Sequence, residues 1–255
     1  MKGNSNRYWQ KMKNLTGKRT YTPPNQPIKF QGQVYTKHGA IAKCFNFHYT
    51  NLRQHKSSKS TRKIQRKIHK LHKLNHNFRP FTPADTIEAI KSAKNSTAVG
   101  PDGFCTAHLK HIGPLATNYL TDLFNLSVAK ANLPAMWKRA IVLPVLKPGK
   151  TADEGVSYRP ISLLCLASKI LERLIHPYLQ AAFVLDDLQH GFRPRRSTTL
   201  ALLPLTTTVV DGFNQPKPPK RTVVAAVDLS KAFDMVNHDI LLDKVCALTQ
   251  NSNLV

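Results

Sequence analysis

The spacing of apolar positions changes repeatedly along this chain, and each change predicts a different element. Between Ser60 and His76, Ile64, Ile68 and Leu71 recur at i, i+4 and i+7 while Lys, Arg and His fill the other faces, which predicts a basic amphipathic helix. Thr82-Pro83-Ala84-Asp85 opens a second helix to about Lys94, with the proline in its first turn. Gly100-Pro101-Asp102-Gly103 predicts a turn, and a helix is expected from about Thr106 to Ala131. The apolar, β-branched run Arg139 to Leu146 predicts a strand that stops at Lys147-Pro148-Gly149-Lys150. A second short strand falls at Tyr158 to Leu164, followed by a helix from about Ala167 to Phe183 with Ile170, Leu171, Leu174 and Leu179 on one side. Pro204 and the β-branched run Thr206 to Val210 disfavour a continuous helix over 198–212 and predict a kink there. Beyond a Pro- and Lys-rich loop, Thr222 to Val227 is a continuous apolar run of the kind found in strands buried on both faces, and a last helix starts near His238.

Charge divides the same chain differently. The formal charge is +24. Residues 1–80 carry 19 Lys and Arg and six His but no Asp or Glu, since the first carboxylate is Asp85. Residues 81–255 carry the other 19 basic residues and all 14 acids. A block of this kind repels itself unless a polyanion lies against it, and nucleic acid is the expected partner, with an anionic membrane surface as the alternative. No apolar run reaches the roughly 18 residues of a spanning helix, so no membrane partner is expected. Cys44, Cys105, Cys165 and Cys246 are scattered without a CxxC pair, which fits neither a zinc ribbon nor a disulfide framework and suits an intracellular, reducing compartment, nucleus or cytoplasm. Three regions result: a basic nucleic-acid-binding extension over 1–80, a globular region over 81–215, and a third over 216–255.

The sharpest candidate for chemistry is Val227-Asp228-Leu229-Ser230-Lys231-Ala232-Phe233-Asp234. A carboxylate at the tip of a buried strand is held rigidly enough to ligate Mg²⁺, and a lone Asp there can equally cap the next helix. Leu185-Asp186-Asp187 reads as surface charge ahead of Gln189. His69, His72 and His76 lie at i, i+3 and i+7 with no acidic or Cys partner nearby, so they read as part of a basic, nucleic-acid-facing helix.

Lys147-Pro148-Gly149-Lys150, Tyr158-Arg159-Pro160-Ile161-Ser162-Leu163-Leu164, Gln189-His190-Gly191-Phe192-Arg193 and the Asp228 block occur in this order at sensible intervals. With Tyr8-Trp9-Gln10, Thr22-Pro23-Pro24-Asn25 and Ala98-Val99-Gly100-Pro101-Asp102-Gly103, the set resembles the reverse transcriptase of non-LTR retrotransposons, the jockey-like elements in particular. The resemblance implies an α+β fold comprising the fingers and the first part of the palm of a right-hand polymerase. It implies RNA-directed DNA synthesis with Mg²⁺ on an RNA template, a DNA primer and deoxynucleoside triphosphates. Asp228 then matches the first catalytic, metal-binding aspartate, with the Leu229 carbonyl as a further metal ligand. Phe233 matches the bulky gate that leaves no room for a 2′-hydroxyl; plain core packing is its other use. Lys147 and Arg159 fall on the fingers hairpin, where a point charge and a planar fork suit a triphosphate, and where solvated surface charge is the bland reading. Arg193 is expected near template or nucleotide, with Gly191-Phe192 forming a turn and a core anchor.

Eleven residues follow Lys244, so the resemblance further implies that the paired aspartates, later palm strands and thumb fall outside this chain. A single carboxylate cannot fix two divalent ions, and the chain is expected to be inactive alone. The alternatives are a non-enzymatic RNA- or DNA-binding protein derived from such an element and, less well matched by the Tyr158 to Leu164 string, an intron maturase.

Overall fold

The computed structural model describes residues 26–51, 66, 79–96, 98–216, 221–229, 232–233 and 235–249. The predicted helix over 60–76, with its three histidines, lies outside the described residues apart from Arg66, as do the motifs before residue 26.

The first described elements are a hairpin and a helix that the charge pattern concealed. Strands β1 (Ile28–Phe30) and β2 (Gln33–Tyr35) pair antiparallel around Gln31-Gly32, both at positive φ as a two-residue hairpin turn requires. Helix α1 (His38–Asn51) follows. Ile28, Phe30, Ile41 and Phe45 form a small apolar cluster with Tyr158, which belongs to the next hairpin. The Phe30 and Phe45 rings meet edge to face with centroids 5.2 Å apart, and Phe45 meets Tyr158 at 5.3 Å. Lys29 N–H donates to the Asp153 carbonyl at 2.6 Å. A boundary drawn at residue 80 therefore misses that 28–51 folds onto the middle of the chain.

Helix α2 (Pro83–Ser92) starts where expected because Thr82 and Asp85 form a reciprocal cap: Thr82 Oγ1 accepts from Asp85 N–H, and Asp85 Oδ2 accepts from Thr82 N–H. The expected helix over 106–131 is two helices, α3 (Thr106–Lys110) and α4 (Pro114–Ala129). Gly113-Pro114 separates them, since proline has no N–H to continue the ladder and fits the first turn of a new helix. Strands β3 (Ala140–Leu146) and β4 (Tyr158–Leu164) form an antiparallel hairpin with Val145 opposite Arg159 and Ala140 opposite Leu164. Helix α5 (Leu166–Ala182) leaves directly from the end of β4.

The main core lies between α2, α4 and α5: Ala89 and Ile90, Phe124 and Val128, and Ile170, Leu171 and Leu174, closed by Phe81. Two polar ties are buried with it. Asn125 pairs with the Phe81 backbone through both halves of its amide, at 2.7 and 2.9 Å. The Thr121 hydroxyl joins Thr86 Oγ1 to the Thr117 carbonyl, 2.8 Å from each. Such groups are tolerated in an apolar core because each has a partner.

Helix α6 (Thr198–Phe213) is continuous through Pro204, against the expectation that proline and the β-branched run would interrupt it. Ser197 caps its start by accepting from Leu200 N–H, and the Thr206, Thr207 and Thr208 hydroxyls donate to the carbonyls of Leu203, Leu203 and Pro204. Because this helix is exposed along nearly its whole length, water can satisfy the carbonyl that proline leaves free. The chain then runs to helix α7 (His238–Thr249). The expected buried strand over 222–227 is not formed. These residues have no regular structure, with Val223 91% and Val227 87% exposed. A strand needs a neighbour to pair its N–H and C=O groups, and no described residue supplies one.

Replacing Gly100 by alanine puts a Cβ 2.2 Å from the Leu164 carbonyl oxygen, a backbone atom that cannot swing aside. We expect Gly100→Ala to lower unfolding free energy by at least about 1–3 kcal/mol, whereas Gly39→Ala, in open space on α1, leaves it unchanged or raises it slightly. Urea midpoints followed by circular dichroism test the contrast. Hydrogen bonds from the Thr82 backbone and side chain hold the Asp85 carboxyl below its usual range. Its contribution is therefore present above the ordinary aspartate value of about 3.9 and is lost as pH falls through the depressed folded value. Thr82→Ala should cost about 1 kcal/mol at pH 7, and thermal melts should show that difference shrinking as pH is taken below 4.

Candidate functional site

The β3–β4 hairpin positions the two cationic candidates at its loop end. Lys147 follows the last pair, Leu146 with Tyr158, and Arg159 lies across from Val145. Lys147 is turned back into the hairpin loop: its N–H donates to the Ser157 carbonyl and its Nζ to the Val156 carbonyl, both at 2.9 Å. Gly149 at φ +72° closes the Lys147 to Lys150 turn. Arg159 is exposed, whereas Tyr158 beside it is buried and donates its hydroxyl to the Ala152 carbonyl at 2.6 Å. The neighbouring inward Tyr and outward Arg follow from the two-residue period of a strand. The hairpin is thus fastened from below and presents Arg159 to solvent.

The 186–193 loop is built around one guanidinium. Arg193 Nη1 donates to the Asp186 carbonyl at 2.6 Å and to the Gln189 carbonyl at 3.4 Å, and its Nη2 lies 3.9 Å from Asp187. Arg196 reaches the same Asp187 carboxylate at 3.5 Å. Asp186 Oδ1 accepts from Leu188 N–H, which tightens the turn. Asp186 and Asp187 are thus exposed turn and ion-pair residues. Arg193, expected near template or nucleotide, has its Nη1 bonded to carbonyls of its own loop. Phe192, expected as a core anchor, is 93% exposed at φ +60°, a backbone region that bulky residues rarely adopt. Its ring meets Phe233 edge to face, centroids 6.0 Å apart. This contact joins the Gln189 to Arg193 motif to the Asp228 motif, so two segments picked out by sequence order do meet in space. Phe233 is 77% exposed, which corrects the core-packing reading.

Asp228 and Leu229 lie in the exposed, irregular 222–229 segment. No hydrogen bond or ion pair among the described residues joins Asp228 to Lys147 or Arg159. Magnesium takes oxygen donors in near-octahedral array. Asp228 and the Leu229 carbonyl are donors of that kind, but no group of three or more His, Cys, Asp or Glu among the described residues could hold a metal ion. The described donors are therefore too few to fit the ion. Asp234 lies outside the described residues.

Sequence spacing missed what holds the hairpin to the helices. Asp102 Oδ2 accepts from Leu166 N–H at 2.8 Å, 64 residues away, and its Oδ1 accepts from Phe104 N–H at 3.3 Å. Gly100 lies against the Leu164 carbonyl, so close that any side chain would collide. The glycines and proline signalled a turn, but nothing in their spacing names its distant partner. The buried Cys165 thiol donates to the Met136 carbonyl at 3.3 Å; burial, with the nearby Asp102 charge, pushes its pKa up and disfavours a reactive thiolate.

An extended hairpin followed directly by a helix, with an aspartate motif further on, is an arrangement of the nucleic-acid polymerase class. Residues 146–254 match the family described as Reverse transcriptase (RNA-dependent DNA polymerase), a segment that runs from the last residue of β3 into the final described helix. The probable RNA-directed DNA polymerase from transposon BS of Drosophila melanogaster is 36% identical over 160 residues, 61% of this chain and 17% of that protein. The probable RNA-directed DNA polymerase from transposon X-element of the same species is 34% identical over 148 residues, 56% of this chain and 16% of that protein. The RNA-directed DNA polymerase from mobile element jockey, also of that species, is 30% identical over 151 residues, 58% and 16% of the two. The matched segment is thus similar to the reverse transcriptases of these mobile elements. The chain spans less than a fifth of the length of these curated relatives.

If Arg193 is the hub of the 186–193 loop, Arg193→Lys should not replace it, because one ammonium cannot reproduce the planar fork. We expect the Leu188 to Phe192 amides to exchange faster with deuterium in the variant, with exchange in α2 and α5 unchanged. Equal rates throughout would show that the guanidinium contributes nothing to the loop.

Proposed function

We propose that this chain serves RNA-directed DNA synthesis, binding an RNA template, a DNA primer and deoxynucleoside triphosphates. One observation carries the reading: the family match over 146–254 takes in the hairpin loop and β4 and the Gln189 to Arg193 and Asp228 to Asp234 motifs in a single order. The roles follow from chemistry. Asp228 contributes a carboxylate, and the Leu229 carbonyl an oxygen, to a Mg²⁺ site that needs further donors. Arg159, and Lys147 through the hydrogens its loop bond leaves free, face the negative charge of a triphosphate. Phe233 fills the space that a 2′-hydroxyl would need.

In this reading the 255-residue chain grips nucleic acid without extending it, because one described carboxylate cannot fix two ions. The acid-free, 19-cation segment 1–80 supports binding whether or not chemistry is present, and favours as a second reading a nucleic-acid-binding protein without catalysis.

A graft separates the two. Residues 146–249 are placed in the jockey polymerase in exchange for its matching segment, and primer extension is measured on an RNA template with Mg²⁺. Extension by the graft, abolished by Asp228→Ala, is the expected result, with the isolated 255-residue chain retaining strands but extending none. Phe233→Ala should lower discrimination against ribonucleotides by roughly 10-fold or more. A folded graft that extends nothing, or one indifferent to Asp228→Ala, would leave the binding protein as the better reading.

A further inference from the structure

Beside the Gly100 to Gly103 turn lies a pocket of about 150 Å³ between the end of α2, the start of α3, and the β4–α5 junction. Its lining includes Lys94, Ser96, Phe104, Thr106, Lys169 and Arg173, and no carboxylate among the described residues. At about 30 Å³ for each water, it has room for a tetrahedral oxyanion. The walls are fixed by long-range contacts. Asp102 holds Leu166, Gly100 abuts Leu164, and Ile170 on the same wall is in the main core.

Its charge is as informative as its shape. Lys169 and Arg173 stand one helical turn apart on α5, so both reach the same side of that helix. Lys169 is half-buried, and Arg173 Nη1 donates to Ser92 Oγ at 3.4 Å, which steers the guanidinium across to α2. Lys94 closes the third side, and Lys110, bonded to Asn95 Oδ1 at 2.8 Å, adds a fourth cation nearby. Two acids stand close: Asp102 accepts from two backbone N–H groups and Glu172 attracts Lys169, but neither lines the pocket, where three cations do. Three convergent cations around a preformed concavity are costly unless an anion is the intended occupant. The exposed Phe104 ring on the lining supplies a flat apolar face beside that charge, as nucleotide recognition uses.

We propose that this pocket is a phosphate-binding subsite, with Lys169 and Arg173 holding the phosphate oxygens, Lys94 at the mouth, and Phe104 against the attached sugar or base. The phosphate is a diester of a polynucleotide strand. That assignment of source rests on the proposed function, whereas the anion preference rests on the pocket alone. The site differs from the triphosphate position assigned to Arg159, being at the other end of β4, where Leu164 rather than Tyr158 is found.

Lysine acetylation of the folded 255-residue chain, read by mass spectrometry, reports on Lys169 locally and is blind to binding through residues 1–80. The probes are a single-stranded RNA oligonucleotide and, separately, inorganic tripolyphosphate, with filter retention of the RNA measured in parallel. Several-fold protection of Lys169 by the RNA, lost in Arg173→Gln, is the expected result. Protection by RNA alone assigns a strand phosphate, and protection by both probes still assigns a phosphate subsite. RNA retained on the filter with Lys169 fully reactive overturns the subsite and leaves nucleic-acid binding standing. Lys169 protected by tripolyphosphate while no RNA is retained keeps the subsite and sinks the strand assignment together with the proposed function. As an independent check, Lys169→Gln should make the log–log salt slope of RNA binding shallower by about 0.7 for one lost phosphate contact. An unchanged slope and affinity in a variant with native circular dichroism would also overturn the subsite.

Discussion

One carboxylate decides how the parts of this protein are assembled. Asp102 accepts from the first backbone N–H of α5 across 64 residues and from Phe104 N–H within its own turn. The first N–H groups of a helix have no partner inside it, and a negative charge there also meets the positive end of the helix dipole. A residue distant in sequence thus does the work of a local cap. It can do so because Gly100 presents no side chain where the turn meets the Leu164 carbonyl. The bond costs the carboxylate little water, since the turn is at the surface, and it sets where the hairpin ends and the helix begins.

That junction makes β4 a beam between two cores. Its first residue, Tyr158, packs with Ile28, Phe30 and Phe45, while the strand's other end leads directly into α5, whose Ile170, Leu171 and Leu174 face α2 and α4. Strand and helix are joined by the single residue Cys165, fully buried, so neither can rotate independently of the other. The consequence for function is positional. The exposed Arg159 near one end and the basic pocket at the other are held by the same rigid strand, with cores beneath both.

The sequence patterns that were legible are those in which a residue and its partner lie close in the chain. The Thr82–Asp85 cap, the stop at Lys147 to Lys150 and the boundaries of both hairpin strands were visible because the physics is local. What was hidden depends on distance. The β1–β2–α1 unit was missed because 1–80 was read as one block by its shared lack of acids, although 28–51 holds only Lys29, Lys37 and Lys43 of its 19 cations and packs through its apolar residues. The split at Gly113-Pro114 was readable from its proline and was lost to the strong flanking periodicity. The role of Arg193 could not be read, because an arginine that knits a loop and one that faces a phosphate are the same letter. For the candidate site, order along the chain identified the right segments, and the contact between Phe192 and Phe233 brings two of them together. Order could not say that Phe192 is exposed or that Arg193 is engaged.

The contrast between the two ends of the described structure has a physical origin that bears on chemistry. Helices α1, α2, α4 and α5 and strand β1 bury apolar residues in the two cores, so the residues they carry inherit fixed positions. Helix α6 and the 222–229 segment expose Leu202, Leu203, Val223 and Val227, more apolar surface than a lone segment keeps without cover. The valine-rich run 222–227 forms no strand among the described residues, so nothing there fixes the position of Asp228. Gripping a polyanion requires only that cations converge on a rigid surface, which is the role proposed for the hairpin and the pocket beside α2 and α5. Transferring a nucleotide requires carboxylates fixed to within fractions of an ångström, and those depend on a sheet around residues 222–227. In the proposed reading, binding and chemistry therefore have different structural requirements: binding would draw on cations already held in place, and chemistry on carboxylates whose positions the described residues do not fix.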